Sequence, residues 1–231
     1  MNINYSSLKS LTDGVWLGIS DIWLTTQIIF QGVYRWDKYK ETGIRPQDDL
    51  QHSYSGAILA KIFMLKIDSY NLNLNKDLVM TAFLIHDHGE GELKRDVCWD
   101  FKEASDDVKE YYAFTKRYSQ LGEEIFAALE RAYLLQYALK ERPDFPQRAQ
   151  VILSDLAKNN YYEALTFSAI EIWDYLLYAL EQNQVKPNPI ILFEVTRNQL
   201  PRMNALAEKL PGLKQEIWTE EIVVAFQKIL E

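Results

Sequence analysis

The sequence predicts an all-α protein, a single-domain helical bundle. Long segments repeat apolar residues at three- and four-residue steps, strand signals are scarce, and glycine or proline punctuates the segments at helix-like intervals. From Thr12 to Arg35 the run VWLGISDIWLTTQIIFQGVYR predicts a first long helix or a broken pair, weakened at Gly14, Gly18 and Gly32. A loop follows, in which Pro46 disfavours helix at the residue before it. A second helix runs from Leu50 to Ile67. Asn75 is placed to cap a third, which starts at Asp77 and ends near Gly89 and Gly91. Ser105 followed by two Asp marks the start of a helix over about 106–140, interrupted near Gly122. RPDFP ends it, and Pro146 suits the first position of a further helix reaching about Gln182. KPNP is the next boundary, and LPGL separates two C-terminal helices near 190–209 and 219–230. No internal repeat or long linker divides the chain, so residues 1–231 read as one domain.

Composition narrows the function classes. Hydrophobic residues make up 48% and charged residues 25%, enough apolar surface to build a core and far from the balance of a disordered chain. A net charge of −8 repels polyanions, so polymeric nucleic acid is not an expected partner, although a small anion can still bind at a local cluster of positive charge. The single cysteine, Cys98, excludes an internal disulfide and reads as a small buried hydrophobe rather than a nucleophile. The start MNINYSSLKS lacks an apolar secretory core. AILAKIFMLKI is interrupted by Lys61 and Lys66, so no membrane span is expected, and the cytoplasm is the expected compartment.

The three histidines carry the chemistry. His86 and His88 stand in LIHDHGE at the end of an apolar helix, and His52 opens another helix in DDLQHSYSGA. Imidazole and carboxylate are the usual ligands of divalent transition ions, and His86 beside Asp87 offers one of each. An ionised Asp87 in that apolar setting is costly without a cation or donors. Glu90 lies three residues past Asp87 and four past His86, spacings that share a helical face, whereas His88 turns away and reads as structural. A fourth ligand must be acidic and sit in a later apolar helix. VILSDLAKNNYYEAL ranks Asp155 first, with Glu171 and Asp174 of AIEIWDYLL as other candidates.

The order His52, His86-Asp87, Asp155 resembles the H…HD…D signature of the HD superfamily of metal-dependent phosphohydrolases. RW at 35–36, DDLQHS at 48–53, HDHGE at 86–90 and Asp96 resemble the motifs of the bacterial 5′-deoxynucleotidases and their HD-domain-containing relatives. The likeness spans about residues 30–170, an HD-type catalytic core; residues 183–231 read as a C-terminal helical extension. It differs in one place, since Asp96 lies one residue further from the HD pair than is usual in that branch. The resemblance implies one divalent ion per chain (Mn, Co, Fe, Zn or Mg) held by His52, His86, Asp87 and Asp155. Glu90 and Asp96 would act on the water or the leaving oxygen, Arg35 would hold phosphate, Trp36 would pack near the sugar, and the protein would be a homodimer. Arg35 and Trp36 also have a plainer reading, as a helix end with the Arg on the C-terminal dipole and the Trp in the core.

The expected function is that of a metal-dependent phosphomonoesterase releasing phosphate from (deoxy)nucleoside 5′-monophosphates. No histidine follows His88, whereas cyclic-nucleotide phosphodiesterases, two-metal HD classes and the large deoxynucleoside triphosphohydrolases resemble chains with further histidines there. The alternatives are a compact dNTP triphosphohydrolase and a metal-binding HD scaffold without turnover.

Overall fold

The computed structural model describes residues 30, 32–45, 47–97 and 102–231. Within them the chain is an all-α bundle carrying one short antiparallel ribbon. The first helix expected from the sequence lies mostly outside the described residues. Where it was expected to end, Tyr34–Arg35 instead forms a strand, β1, paired with β2 (Gln47–Asp48) so that Arg35 faces Gln47 and Tyr34 faces Asp48. β2 runs directly into helix α1 (Asp49–Ile67), whose first turn is capped by the Asp48 carboxylate accepting from the Gln51 amide at 2.8 Å. The ribbon thereby fixes Arg35 beside the start of α1.

Asn75 caps α2 (Lys76–Ile85), its side chain accepting from the Leu78 amide at 3.0 Å. The helix stops before the glycines, at Ile85. His86 and Asp87 form a corner, with Asp87 at φ −89° and ψ 3°, and a separate helix α3 (His88–Leu93) follows. α4 (Ala104–Tyr118) is entered from Glu103, whose amide donates to Asp106 at 3.2 Å; Ser105 lies inside the first turn instead of capping it. Gly122, at φ 86°, separates α4 from α5 (Glu123–Leu134), as the sequence implies. The helix expected from Pro146 to Gln182 is two, α6 (Gln147–Asn159) and α7 (Tyr161–Val185), broken at Asn160. Then come α8 (Pro189–Ala207), the short α9 (Leu213–Glu216) and α10 (Glu220–Gln227).

α7 is the axis of the bundle. Its apolar residues run round the whole helix, with Leu165, Phe167, Ile170, Ile172, Leu176 and Ala179 all buried, which is the pattern of a helix enclosed by neighbours. It packs against α1, α2, α6 and α8. Ile191, Val195 and Met203 of α8 belong to the same apolar cluster as Phe63 of α1 and Phe83 of α2, so residues 183–231 complete the core rather than append to it.

Two glycines set distances that matter below. A Cβ on Gly56 would lie 2.9 Å from the Phe83 ring, so only glycine lets α1 and α2 approach this closely. His52 is one turn before Gly56 and His86 three residues after Phe83, so the same crossing brings the two imidazoles together. A Cβ on Gly89 would lie 2.5 Å from the Glu110 carbonyl oxygen, so α3 lies hard against α4. Among the described residues no helix is long and apolar enough to cross a membrane.

Candidate metal centre

His52 and His86 point their Nε2 atoms at one another across 3.1 Å, with the Asp87 and Glu171 carboxylates beside them. The Glu171 oxygen is 3.2 Å from His52 Nε2 and 3.3 Å from His86 Nε2; Asp87 is 3.1 Å from His86 Nε2 and 3.7 Å from His52 Nε2. Partners on the far side of each ring fix the tautomers. His52 Nδ1 lies 2.8 Å from the Asp174 carboxylate, and His86 Nδ1 lies 3.0 Å from the Phe83 carbonyl oxygen. Both partners are pure acceptors, so each Nδ1 carries the proton and donates outward, leaving each Nε2 lone pair aimed inward. Two imidazole lone pairs and two carboxylates therefore converge with no donor of their own. Asp87 Oδ2 and Glu171 Oε1 are buried with no hydrogen-bond partner among the described residues.

Such a group can be satisfied by a cation, and its imidazole and carboxylate donors are of the kind that could hold a divalent transition ion. The protein without metal expresses the same demand with a proton. Burial and Arg35 press His52 toward its neutral form, yet Asp174 and Glu171 outweigh them and lift it to about 10. Burial alone would raise Asp87 and Glu171, but the imidazoles hold both below the usual carboxylate range.

No protein-family model, no curated protein and no solved structure matches the chain.

The corner at 86–87 explains how adjacent residues reach one point. In a continuous helix successive side chains diverge by about 100°, whereas the turn between α2 and α3 lets both face the centre. Asp155 does not join them. It is half-exposed on α6, pairs with Arg131 at 2.6 Å and accepts from Asn159 at 2.6 Å. The buried stripe of α6 is Ala149, Leu153 and Leu156, and Asp155 lies off it, so the aliphatic residues before it in sequence did not mark its own direction. Glu171 lies where the sequence reading put Asp155, beside both imidazoles. Sequence reasoning ranked it lower because α7 is apolar on every side and its periodicity singles out no face. The available signal was two acids three residues apart inside such a helix, where neither charge is tolerable without a partner. Asp174, one turn on, is the outward support of His52. Asp174→Asn is expected to weaken metal binding by about 10–100-fold, measured by chelator competition; unchanged affinity would show that it does not orient the ring.

The remaining sequence candidates gather round a cavity of about 300 Å³ whose wall includes His86, Asp87, Glu171, Arg35, Trp36 and Asp96. Arg35 is buried in β1, so it is not a helix-end residue. Its Nη2 donates to the Tyr175 hydroxyl at 2.8 Å, while Nη1 is buried with no partner among the described residues. Trp36 adopts φ 72°, unusual for a side chain of its size, and stacks on Tyr178 at 4.7 Å. Glu90 reaches the same cavity from α3, a different helix from the one carrying His86, and accepts from Lys102 Nζ at 2.6 Å. Lys102 also lies 2.7 Å from Glu110. Burial drives Glu90 well above the carboxylate range against the pull of Lys102, and Asp96 is raised by burial against Arg35. Lys102 and Asp49 were not among the sequence candidates. His88 is buried away from the two imidazoles, its Nδ1 meets the Tyr118 hydroxyl, and it packs edge-on to Phe30.

Proposed function

We propose that the chain is a metal-dependent phosphohydrolase of the HD type, a phosphomonoesterase that releases phosphate from nucleoside 5′-monophosphates, deoxyribonucleotides included. The observation that carries the reading is the buried Arg35 Nη1, without a partner among the described residues, in a cavity lined by His86, Asp87 and Glu171, with His52 directly behind His86 and Glu171. A divalent ion held by those four residues would supply an acidified water at neutral pH and a positive charge against the phosphoryl oxygens.

The protein's own groups divide the remaining work. Tyr175 anchors one arm of Arg35 and leaves the other free to donate to a phosphate oxygen, a charge-assisted bond that guanidinium keeps at any physiological pH. Glu90, steadied by Lys102 and lining the same cavity, is placed to take a proton from the attacking water. Asp96, on the wall of the same cavity, would give a proton to the leaving oxygen. Trp36 offers an apolar wall for the nucleoside.

The test is release of orthophosphate from dAMP and related monophosphates by purified protein with Mn²⁺ or Co²⁺. Triphosphate from dATP with no orthophosphate from dAMP would overturn the monophosphatase reading. That second reading has one observation in its favour: Lys140 and Arg202 line the cavity with no carboxylate within ion-pair distance among the described residues, room for a more highly charged substrate. Arg35→Met is expected to lose about 1.5–3 kcal/mol of substrate binding, roughly 10–100-fold in KM, with metal content unchanged.

A further inference from the structure

Among the described residues, Asp49 is a buried carboxyl group with nothing to satisfy either oxygen. It opens α1 three residues before His52, is completely buried, and neither of its oxygens has a hydrogen-bond partner among the described residues. One oxygen of each of Asp49, Asp87 and Glu90 lies within 4.8 Å of the others, all three side chains being buried. Asp87 Oδ2 is also without a donor. The cations nearby do not meet the need: Arg35 donates to Tyr175 and Lys102 to Glu90 and Glu110, and neither reaches Asp49.

We propose that Asp49, Asp87 and Glu90 hold a second divalent cation, next to the one assigned to His52, His86, Asp87 and Glu171, with Asp87 shared between them. The inference rests on that first assignment. Donor chemistry separates the two positions. The first offers imidazole nitrogen and suits a transition ion, whereas the second offers carboxylate oxygen alone and suits a hard ion, Mg²⁺ or Mn²⁺. A carboxylate with two free oxygens and no access to water is the group that such an ion satisfies and that protein donors here do not. Helix geometry supports the sharing: α1 contributes Asp49 and His52 from successive turns of one face, and the 86–87 corner places Asp87 between them and Glu90.

The test is equilibrium dialysis of the full chain against Mn²⁺ with elemental analysis, read together with electron paramagnetic resonance. Two Mn²⁺ per chain with an exchange-coupled spectrum is expected for the wild type. Asp49→Asn should hold one Mn²⁺ with the spectrum of an isolated ion; should that chain fail to fold, Glu90→Gln is read in the same way. A single Mn²⁺ in the wild type overturns the second position and leaves the first standing. No bound Mn²⁺ overturns both, and two retained in Asp49→Asn removes Asp49 from the site.

Discussion

On the proposed function, Glu171→Ala protein is expected to lose the transition ion and with it all measurable phosphate release, while Asp155→Ala retains both. The Glu171 oxygen lies within 3.3 Å of both inward-facing imidazole nitrogens, so truncating it removes a ligand and leaves two lone pairs facing Asp87 alone. Loss of an outer partner such as Asp174 costs about 10–100-fold in metal affinity, and loss of a direct ligand should exceed that. Asp155 faces solvent beside Arg131 and Asn159, and its removal touches neither imidazole. Metal analysis of the two purified variants beside wild type decides the matter. A metal-free Asp155→Ala with a fully loaded Glu171→Ala would reverse the assignment of the fourth ligand.

The second large effect is on turnover. Glu90→Gln should lower kcat by about 10²–10⁴, the range for losing a positioned acid or base, with KM nearly unchanged and the ion at His52, His86, Asp87 and Glu171 retained. Gln keeps the shape and a hydrogen-bonding oxygen for Lys102, which donates to Glu90 at 2.6 Å, but cannot take a proton. Steady-state kinetics on a monophosphate with parallel metal analysis separates the outcomes. A variant with wild-type kcat would remove Glu90 from proton transfer; one that raises KM alone would make it a binding residue.

Much of the site was legible in the sequence because its residues are chemically conspicuous. His52 and His86-Asp87 stand out since imidazole and carboxylate are rare in apolar helices, Glu90 followed from its spacing to them, and Arg35, Trp36 and Asp96 came with the resemblance built on them. All of them border the centre or its cavity. The all-α fold followed from periodicity, which each helix imposes locally by burying one face. Asn75 and Gly122 marked their boundaries through capping and positive φ, which are properties of a few adjacent residues.

Tertiary structure alone decided what depends on direction across the bundle. Asp155 and Glu171 are equally acidic and equally embedded in apolar text, and only the packing of α6 and α7 sends one to solvent and the other to the imidazoles. The strand holding Arg35 rests on pairing with residues 47–48, and the meeting of Asp49 with Asp87 and Glu90 on contacts between segments far apart in the chain. A sequence determines which groups are costly to bury; where the cost is met depends on which helices cross and how closely. At Gly56 and Phe83 that closeness comes down to one missing side chain.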